Sequence, residues 1–227
     1  MAQDALRITI VGAESTGKST LAQDLTLRLA EETGLRCTLV GEALRDWCAR
    51  AGRTPRADEQ AAIAAAQAAA IDAAAAGHDL IICDTTPLMT AVYSELLFDD
   101  LSLHEMALRY QRSCALTLLT ALDLPWVPDG LQRDGPHVQQ PVDRALRKAL
   151  IGAGLSWSVV AGSGQARVDA ALNAITPLLR NWRSPRRGLF TRLQHRQDSM
   201  PDLAWFCQDC DVPECEHRSL RQLQSSR

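Results

Sequence analysis

The segment Gly12-Ala-Glu-Ser-Thr-Gly-Lys-Ser19 carries the pattern G-x4-G-K-[ST], whose residue types suit the binding of a nucleoside triphosphate. Glycines let the backbone curve around a phosphate with its N–H groups directed inward, and a following helix N-terminus adds positive potential. In such a loop Lys18 reaches the β- and γ-phosphates, and the Ser19 hydroxyl ligates Mg²⁺. The pattern predicts ATP and Mg²⁺ as cofactors. The residues predicted to bind ATP are Gly12, Ala13, Glu14, Ser15, Thr16, Gly17, Lys18, Ser19 and Thr20.

Asp84 follows an apolar run in the string IICDTT, and we expect this run to lie beside the P-loop strand. A carboxylate at the carboxyl end of such a strand can hold Mg²⁺ or accept the proton of an attacking hydroxyl. The alternative is that Asp84 caps a helix starting near Pro87. We favour the functional interpretation. No second acidic residue adjoins Asp84, which favours group transfer over hydrolysis.

Glu42 and Arg45 follow the second apolar run in the string VGEALRDW. Glu42 at a strand end can meet a substrate hydroxyl as the catalytic base, and Arg45 can approach the transferred phosphoryl group. The alternative is a solvated helix N-terminus, where acidic side chains favour the helix dipole. The residues alone leave both interpretations open.

The string PWVPDGLQRDGP at 125–136 is rich in proline, glycine and charge, which predicts a loop. Trp126 is either a packing anchor or a stacking surface for a flat substrate. Asp129 is a candidate for binding ribose hydroxyls, and Arg133 for neutralising charge on the γ-phosphoryl group. Arg144, further along, is more simply a surface arginine. A loop at this position is typical of a lid that closes over phosphates.

Alternating strand-like and helix-like segments must bring these residues together, and this order predicts a parallel sheet. The expected fold class is an α/β P-loop NTPase with a five-stranded parallel sheet flanked by helices. The predicted strands are Leu6–Val11, Cys37–Val40, Leu80–Cys83, Leu116–Ala121 and Trp157–Val160. The predicted helices are Thr20–Ala30, Ala57–Ala76, Pro87–Leu97, Leu103–Cys114, Val142–Ala153 and Gln165–Asn181. The second of these is alanine-rich, and since alanine favours helix, we expect it to pack closely.

Composition places this chain among ordinary globular proteins. Its 227 residues are 46% hydrophobic and 22% charged, and the net charge of −3 does not favour nucleic acid as a partner. No apolar run approaches the length of a membrane helix, and the N-terminus lacks a signal-peptide pattern. Seven cysteines without such a signal favour reduced thiols, so we expect a cytoplasmic protein. The oligomeric state is not indicated.

The residue pattern changes after the last predicted helix. We expect 1–181 to form the kinase-like domain, 182–200 an arginine-rich linker and 201–227 a small tail. The tail places four soft ligands at the spacing C-x2-C-x4-C-x-H, which favours a zinc site over a disordered segment with reduced thiols. The predicted zinc ligands are Cys207, Cys210, Cys215 and His217.

The order of these motifs resembles that of the NadR-like P-loop kinases, the ribosylnicotinamide kinase domains of NAD-salvage proteins. The resemblance covers residues 5 to about 180 and rests on five strings: GAESTGKSTL, E-x-x-R-D-W, the helix carrying Gln67 and Asp72, DTT at 84–86, and PWVPDGL. It implies transfer of the γ-phosphate of ATP to the 5′-hydroxyl of nicotinamide riboside, giving the mononucleotide. The cationic nicotinamide ring suits the face of Trp126.

Two features depart from the family pattern. Gln132 follows Asp-Gly-Leu, and Arg133 comes one position later than expected. Few residues precede the first predicted strand, so we expect no adenylyltransferase domain and no bifunctional protein. The alternative function is an ATP-dependent regulatory protein whose arginine-rich linker and Cys/His tail contact a partner. Nucleoside-stimulated release of ADP distinguishes the kinase from this alternative.

Overall fold

The computed structural model describes residues 5–127 and 135–182. Five strands lie in this part of the chain: β1 (Leu6–Val11), β2 (Cys37–Val40), β3 (Leu80–Asp84), β4 (Leu116–Thr120) and β5 (Ser158–Val160). The helices are α1 (Lys18–Thr33), α2 (Ala43–Ala51), α3 (Gln60–Ala75), α4 (Pro87–Phe98), α5 (His104–Arg112), α6 (Gln139–Gly152) and α7 (Gly164–Trp182). Short 3-10 turns at Ala57–Glu59 and Pro136–Val138 precede α3 and α6.

The strands form one parallel sheet in the order β2-β3-β1-β4-β5, which confirms the predicted fold class. Strand β1 is central. Its Ile10 lies opposite Asp84 of β3, and its Val11 lies opposite Leu119 of β4. Because parallel strands end at the same edge, the loop after β1, the end of β3 and the loop after β4 meet there.

Helix α3 confirms the expectation of a closely packed alanine-rich helix. Its buried side chains are Gln60, Ile63, Ala64, Gln67 and Ile71, spaced three or four residues apart on one face. Most of the other alanines, among them Ala61, Ala65 and Ala69, are exposed and favour the helix because alanine loses no side-chain entropy in it. Two of the five buried residues are glutamines, which is unusual for a core face.

Gln111 of α5 crosslinks three elements below the strand ends. It is 1% exposed, and its Nε2 donates to Thr9 Oγ1 at 2.8 Å and to Thr117 Oγ1 at 2.7 Å. Its Oε1 accepts a hydrogen bond from Thr86 Oγ1 at 2.7 Å. A buried amide with partners on both sides fixes the positions of the elements it joins, because losing either bond leaves a buried group unpaired.

Several boundaries differ from the sequence-based prediction. Helix α1 begins at Lys18 rather than Thr20, since Gly17 adopts the left-handed region (φ +74°) and turns the chain directly into the helix. Helix α2 was foreseen only as the alternative interpretation of Glu42 and Arg45, and α6 begins at Gln139 rather than Val142. The predicted linker at 182–200 and the tail at 201–227 lie almost wholly outside the described residues, so both stay predictions.

Candidate functional site

The P-loop connects β1 to α1, as predicted, and its two glycines are needed for different reasons. A Cβ on Gly12 would lie 2.0 Å from Thr120 Oγ1, at the end of β4. Gly17 occupies the left-handed region, where side chains are strained. Ser15 also has positive φ (+56°). The loop is therefore shaped by close approach to β4 on one side and by the sharp entry into α1 on the other.

Lys18 is buried within this loop and surrounded by carboxylates. Its Nζ donates to Ala13 O at 2.7 Å, and Thr16 Oγ1 donates to the same carbonyl at 2.7 Å. Burial lowers the pKa of Lys18, whereas the nearby charges of Glu42, Asp84 and Glu14 raise it. The four charged groups thus form one cluster, with the Lys18 ammonium held on the Ala13 carbonyl.

Asp84 is the last residue of β3 and does not cap the next helix. The cap of α4 is Thr86, whose Oγ1 accepts from Leu88 N at 3.3 Å. Between them, the β-branched Thr85 is held at φ +75°, and its N–H donates to Ile10 O at 3.1 Å. Such a conformation costs free energy and occurs mostly at functional sites. The alternative interpretation of Asp84 as a helix cap was wrong.

The residues around Asp84 fit Mg²⁺. Asp84 is 5% exposed, and its Oδ1 has no hydrogen-bond partner in the part of the chain that the structure describes. Oxygen ligands, few of them from the protein, suit Mg²⁺, which keeps waters and substrate phosphates as its other ligands. Within residues 5–127 and 135–180 no group of three or more His, Cys, Asp or Glu could hold a metal. Asp84 and the Ser19 hydroxyl are oxygen donors of the kind that fits a nucleotide-bound Mg²⁺.

Glu42 directly precedes α2, and its side chain is directed into the protein. Its side chain is only 10% exposed and makes no capping hydrogen bond, so the alternative of a solvated helix terminus was wrong for this residue. Its Oε2 lies 3.5 Å from the Arg45 guanidinium. Burial raises the pKa of Glu42, and the Lys18 ammonium opposes that rise. A buried carboxylate with a raised pKa is better suited to accept a proton than an exposed one.

Gln67 holds the backbone on both sides of Glu42. Its Oε1 accepts from Ala43 N at 2.6 Å, and its Nε2 donates to Gly41 O at 3.1 Å. The side chain is 2% exposed. The sequence signal was present, since Gln67 is a polar residue on the buried face of α3, four positions from Ile63 and from Ile71. In the family resemblance Gln67 is part of the pattern and has no assigned role.

A cavity of about 280 Å³ opens beside the P-loop on the side of β3. Lys18, Glu42, Arg45 and Tyr93 contribute polar groups to it. The other lining residues are Glu14, Ser15, Leu44, Cys48, Thr54, Pro55, Gln60, Leu96, Leu97, His137, Val138, Pro141 and Val142. Burial raises the pKa of Tyr93 well above its ordinary value, and the carboxylates of Glu14 and Glu42 add to the effect.

The predicted lid loop is only partly described. Trp126 is half-buried and is not among the described residues that line the cavity. Next to it, Val127 N donates to Ser15 Oγ at 2.7 Å, so the loop after β4 rests on the P-loop. Asp129 and Arg133 lie outside the described residues, and their roles stay predictions. Arg144 is exposed on α6, as its interpretation as a surface arginine predicts.

Arg167 of α7 is a contributor to the site that the sequence did not suggest. It is 4% exposed, and its NH2 donates to Thr16 O in the P-loop at 2.8 Å. Its NH1 donates to Asp123 Oδ1 at 2.8 Å and to Gly162 O at 2.6 Å. One buried guanidinium therefore connects the loops that follow β1, β4 and β5.

Comparisons with known proteins agree with this geometry. Residues 7–167 match the AAA domain family. A search of curated proteins found no significant match. Among solved structures, the NadR protein in complex with NR aligns with a TM-score of 0.62 and 18% identity, over 76% of this chain and 50% of that chain. The NadR protein in complex with NAD and AMP-PNP aligns with a TM-score of 0.58 and 17% identity, over 74% of this chain and 49% of that chain.

The same fold occurs in a nucleotide kinase. Thymidylate kinase from Ehrlichia chaffeensis aligns with a TM-score of 0.54 and 15% identity, over 77% of this chain and 98% of that chain. The chain spans about half the length of the NadR chains, and these identities show a shared fold only. No helix of the described residues is long and apolar enough to cross a membrane. Because the AAA domain match extends over most of the chain, and the solved structures share its P-loop fold, the chain belongs to the AAA domain family.

Proposed function

We propose that this chain transfers the γ-phosphoryl group of ATP to a hydroxyl of a small nucleoside-like molecule, and that nicotinamide riboside is its substrate. The observation that carries this proposal is the cavity beside the P-loop, where a buried carboxylate, Glu42, faces the space adjoining Lys18. A motor ATPase needs no such compartment for a second small molecule. The fold shared with the NadR structure in complex with NR supports the choice of substrate.

The chemistry assigns separate roles to the clustered residues. Lys18 binds the β- and γ-phosphates, and Ser19 with Asp84 holds Mg²⁺, which neutralises charge on the phosphates when bound. The acceptor oxygen bonds to the γ-phosphorus while the bond from that phosphorus to the β–γ bridging oxygen breaks. The hydroxyl proton passes to Glu42, and ADP leaves. Burial favours this transfer because it raises the proton affinity of the Glu42 carboxylate.

Glu42 is a better candidate for the base than Asp84. Glu42 lines the cavity, whereas Asp84 lies at the strand end beneath the P-loop and is not among the described lining residues. Arg45 also lines the cavity, next to Glu42, and we assign it to the transferred phosphoryl group. Trp126 and Asp129 remain assigned to the substrate, and Arg133 to the γ-phosphoryl group, on the family resemblance.

Release of ADP with ATP and Mg²⁺ across a panel of nucleosides tests the proposal, with Lys18→Ala as the blank. We expect nicotinamide riboside to give the strongest stimulation. Stimulation by another nucleoside would keep the kinase and replace the substrate. Binding of ATP without stimulation by any member of the panel would refute the kinase and favour the regulatory alternative, whose predicted linker and tail lie almost wholly outside the described residues.

A further inference from the structure

The cavity contains two hydrogen-bond acceptors that phosphate binding does not use. Gln60, the first residue of α3, is 1% exposed, and its Oε1 has no partner among the described residues. Glu14 Oε2 is also buried without a hydrogen-bond partner in that part of the chain. Both residues line the cavity. A buried acceptor without a partner costs free energy that a ligand donor can recover.

The backbone and the side chain of Glu14 face different parts of the site. Its backbone belongs to the predicted phosphate-binding loop, and its carbonyl accepts from Gln139 Nε2 at 2.9 Å. Its side chain instead reaches the cavity, near Tyr93 and Glu42. The loop that binds ATP thus presents a carboxylate to the second substrate.

The charges of the described residues at the acceptor end of the cavity do not balance. Glu14 and Glu42 carry two negative charges there, and Arg45 lies 3.5 Å from Glu42 with its side chain 41% exposed. Lys18 is directed to Ala13 O of the P-loop, where the ATP phosphates bind in the proposed reaction. Among the described lining residues, the acceptor end therefore offers an excess of negative charge and of hydrogen-bond acceptors.

We propose that Glu14 and Gln60 determine the specificity for the phosphoryl acceptor, selecting a cationic or neutral molecule that donates hydrogen bonds and rejecting its 5′-monophosphate. The proposal rests on the proposed function, since it takes the cavity as the acceptor site. A hydroxyl or amide N–H satisfies the two unpartnered oxygens. A phosphate dianion brings no donors and is repelled by the carboxylates. This selectivity separates a nucleoside kinase from a nucleotide kinase of the same fold.

Paired ligands test the proposal independently of turnover. The full chain is saturated with AMP-PNP and Mg²⁺, so that the P-loop is occupied, and is titrated by calorimetry with nicotinamide riboside and with its mononucleotide. Uridine and its monophosphate form a second pair. We expect the wild type to bind each nucleoside at least about tenfold more tightly than its phosphate, and Glu14→Gln to reduce this ratio about tenfold, the size of one nearby charge in a partly screened site.

Control variants separate specificity from general damage. Glu31→Gln removes an exposed carboxylate from α1 and should leave the ratio unchanged. Gln60→Leu should weaken nucleoside binding about tenfold, which is the typical effect of one lost hydrogen bond to a buried group. Gln60→Glu keeps an acceptor oxygen and should bind the nucleoside more tightly than Gln60→Leu does. Melting temperatures confirm that each variant is folded.

The possible results are distinguishable from failure of the proposed function. If the wild type phosphorylates no nucleoside yet prefers nucleosides in the titrations, the specificity proposal stands and the reaction is wrong. If nicotinamide riboside is phosphorylated but Glu14→Gln keeps the wild-type ratio, the kinase stands and the specificity proposal is refuted. Equal or tighter binding of the monophosphates by the wild type also refutes it, as does binding of neither member of either pair.

Discussion

Gly12→Ala tests whether close packing between the P-loop and β4 shapes the phosphate site. The new Cβ would meet Thr120 Oγ1 at 2.0 Å, at least 1 Å inside any distance that real Cβ atoms adopt. Thr120 cannot simply move aside, because it is 0% exposed and its Oγ1 is hydrogen-bonded to Thr16 Oγ1 at 2.7 Å. Either β4 or the P-loop must therefore shift.

The magnitude combines the cost of overpacking a buried site with backbone strain, because Gly12 has a φ of +153° that a side chain disfavours. We expect Gly12→Ala to lower the free energy of unfolding by about 1–3 kcal/mol, which is the usual range for a forced insertion into a packed core. Nucleotide affinity should fall as well, since the loop that carries Lys18 is displaced. Urea denaturation measures the first effect, and titration with a fluorescent ATP analogue measures the second.

A double-mutant cycle identifies the atom responsible. Thr120→Ala removes Oγ1, leaving the Thr120 Cβ at 3.3 Å from the Cβ built on Gly12, which is tight but tolerable. Adding Thr120→Ala to Gly12→Ala should therefore recover about 1 kcal/mol or more, a coupling typical of residues in contact. Gly77→Ala is the control, since nothing lies within 4 Å of its Cβ. Surface substitutions typically change stability by no more than about 0.5 kcal/mol. The packing argument is therefore refuted if Gly12→Ala is as stable as the wild type within that margin, or if the double variant recovers no stability.

Three further variants test the other parts of the site. In the wild type, kcat/KM should rise with pH through the pKa of Glu42, which burial moves above the ordinary carboxylate range, and Glu42→Gln should lose this rise together with most of its turnover. Gln67→Leu should lower kcat about tenfold with little change in the KM for ATP, because misplacing a catalytic group such as Glu42 has effects of this order or larger. The control variant Gln165→Leu, at an exposed position, should change neither constant. Arg167→Met should lower the free energy of unfolding by about 1–3 kcal/mol in urea denaturation. This range already allows for solvent screening of the ion pair, because Asp123 is one-third exposed. Unchanged stability would contradict the structural role of Arg167.

The sheet and the P-loop were predictable because their signals are local. Each strand is a short apolar run, and each was placed within one residue of its observed bounds. Of the order β2-β3-β1-β4-β5, the sequence predicted only that β3 lies beside β1. Asp84 was found for the same reason, as an acidic residue directly after a buried run beside a recognisable loop.

The supporting residues could not be predicted because their contacts are distant in sequence. Arg167 bonds to Thr16 across 151 positions, and Thr120 meets Thr16 across 104. Nothing in the neighbourhood of Arg167 distinguishes it from the exposed arginines of other helices. Gln60 and Gln67 are intermediate cases, since the period of α3 places two amides on a buried face and so indicates that each needs a partner.

If the chain is the proposed kinase, its cavity accounts for how a hydroxyl competes with water for the γ-phosphoryl group. Water is the more abundant nucleophile, so transfer requires that the acceptor occupy the space next to the phosphate. Apolar side chains from three helices, Leu44, Leu96 and Val142, line that space around the buried Glu42. An acceptor that displaces water there also strengthens the electrostatic contacts of Lys18 and Glu42 by lowering the local polarity. On the side of the P-loop, the described end of the loop after β4 contacts Ser15 through Val127 N.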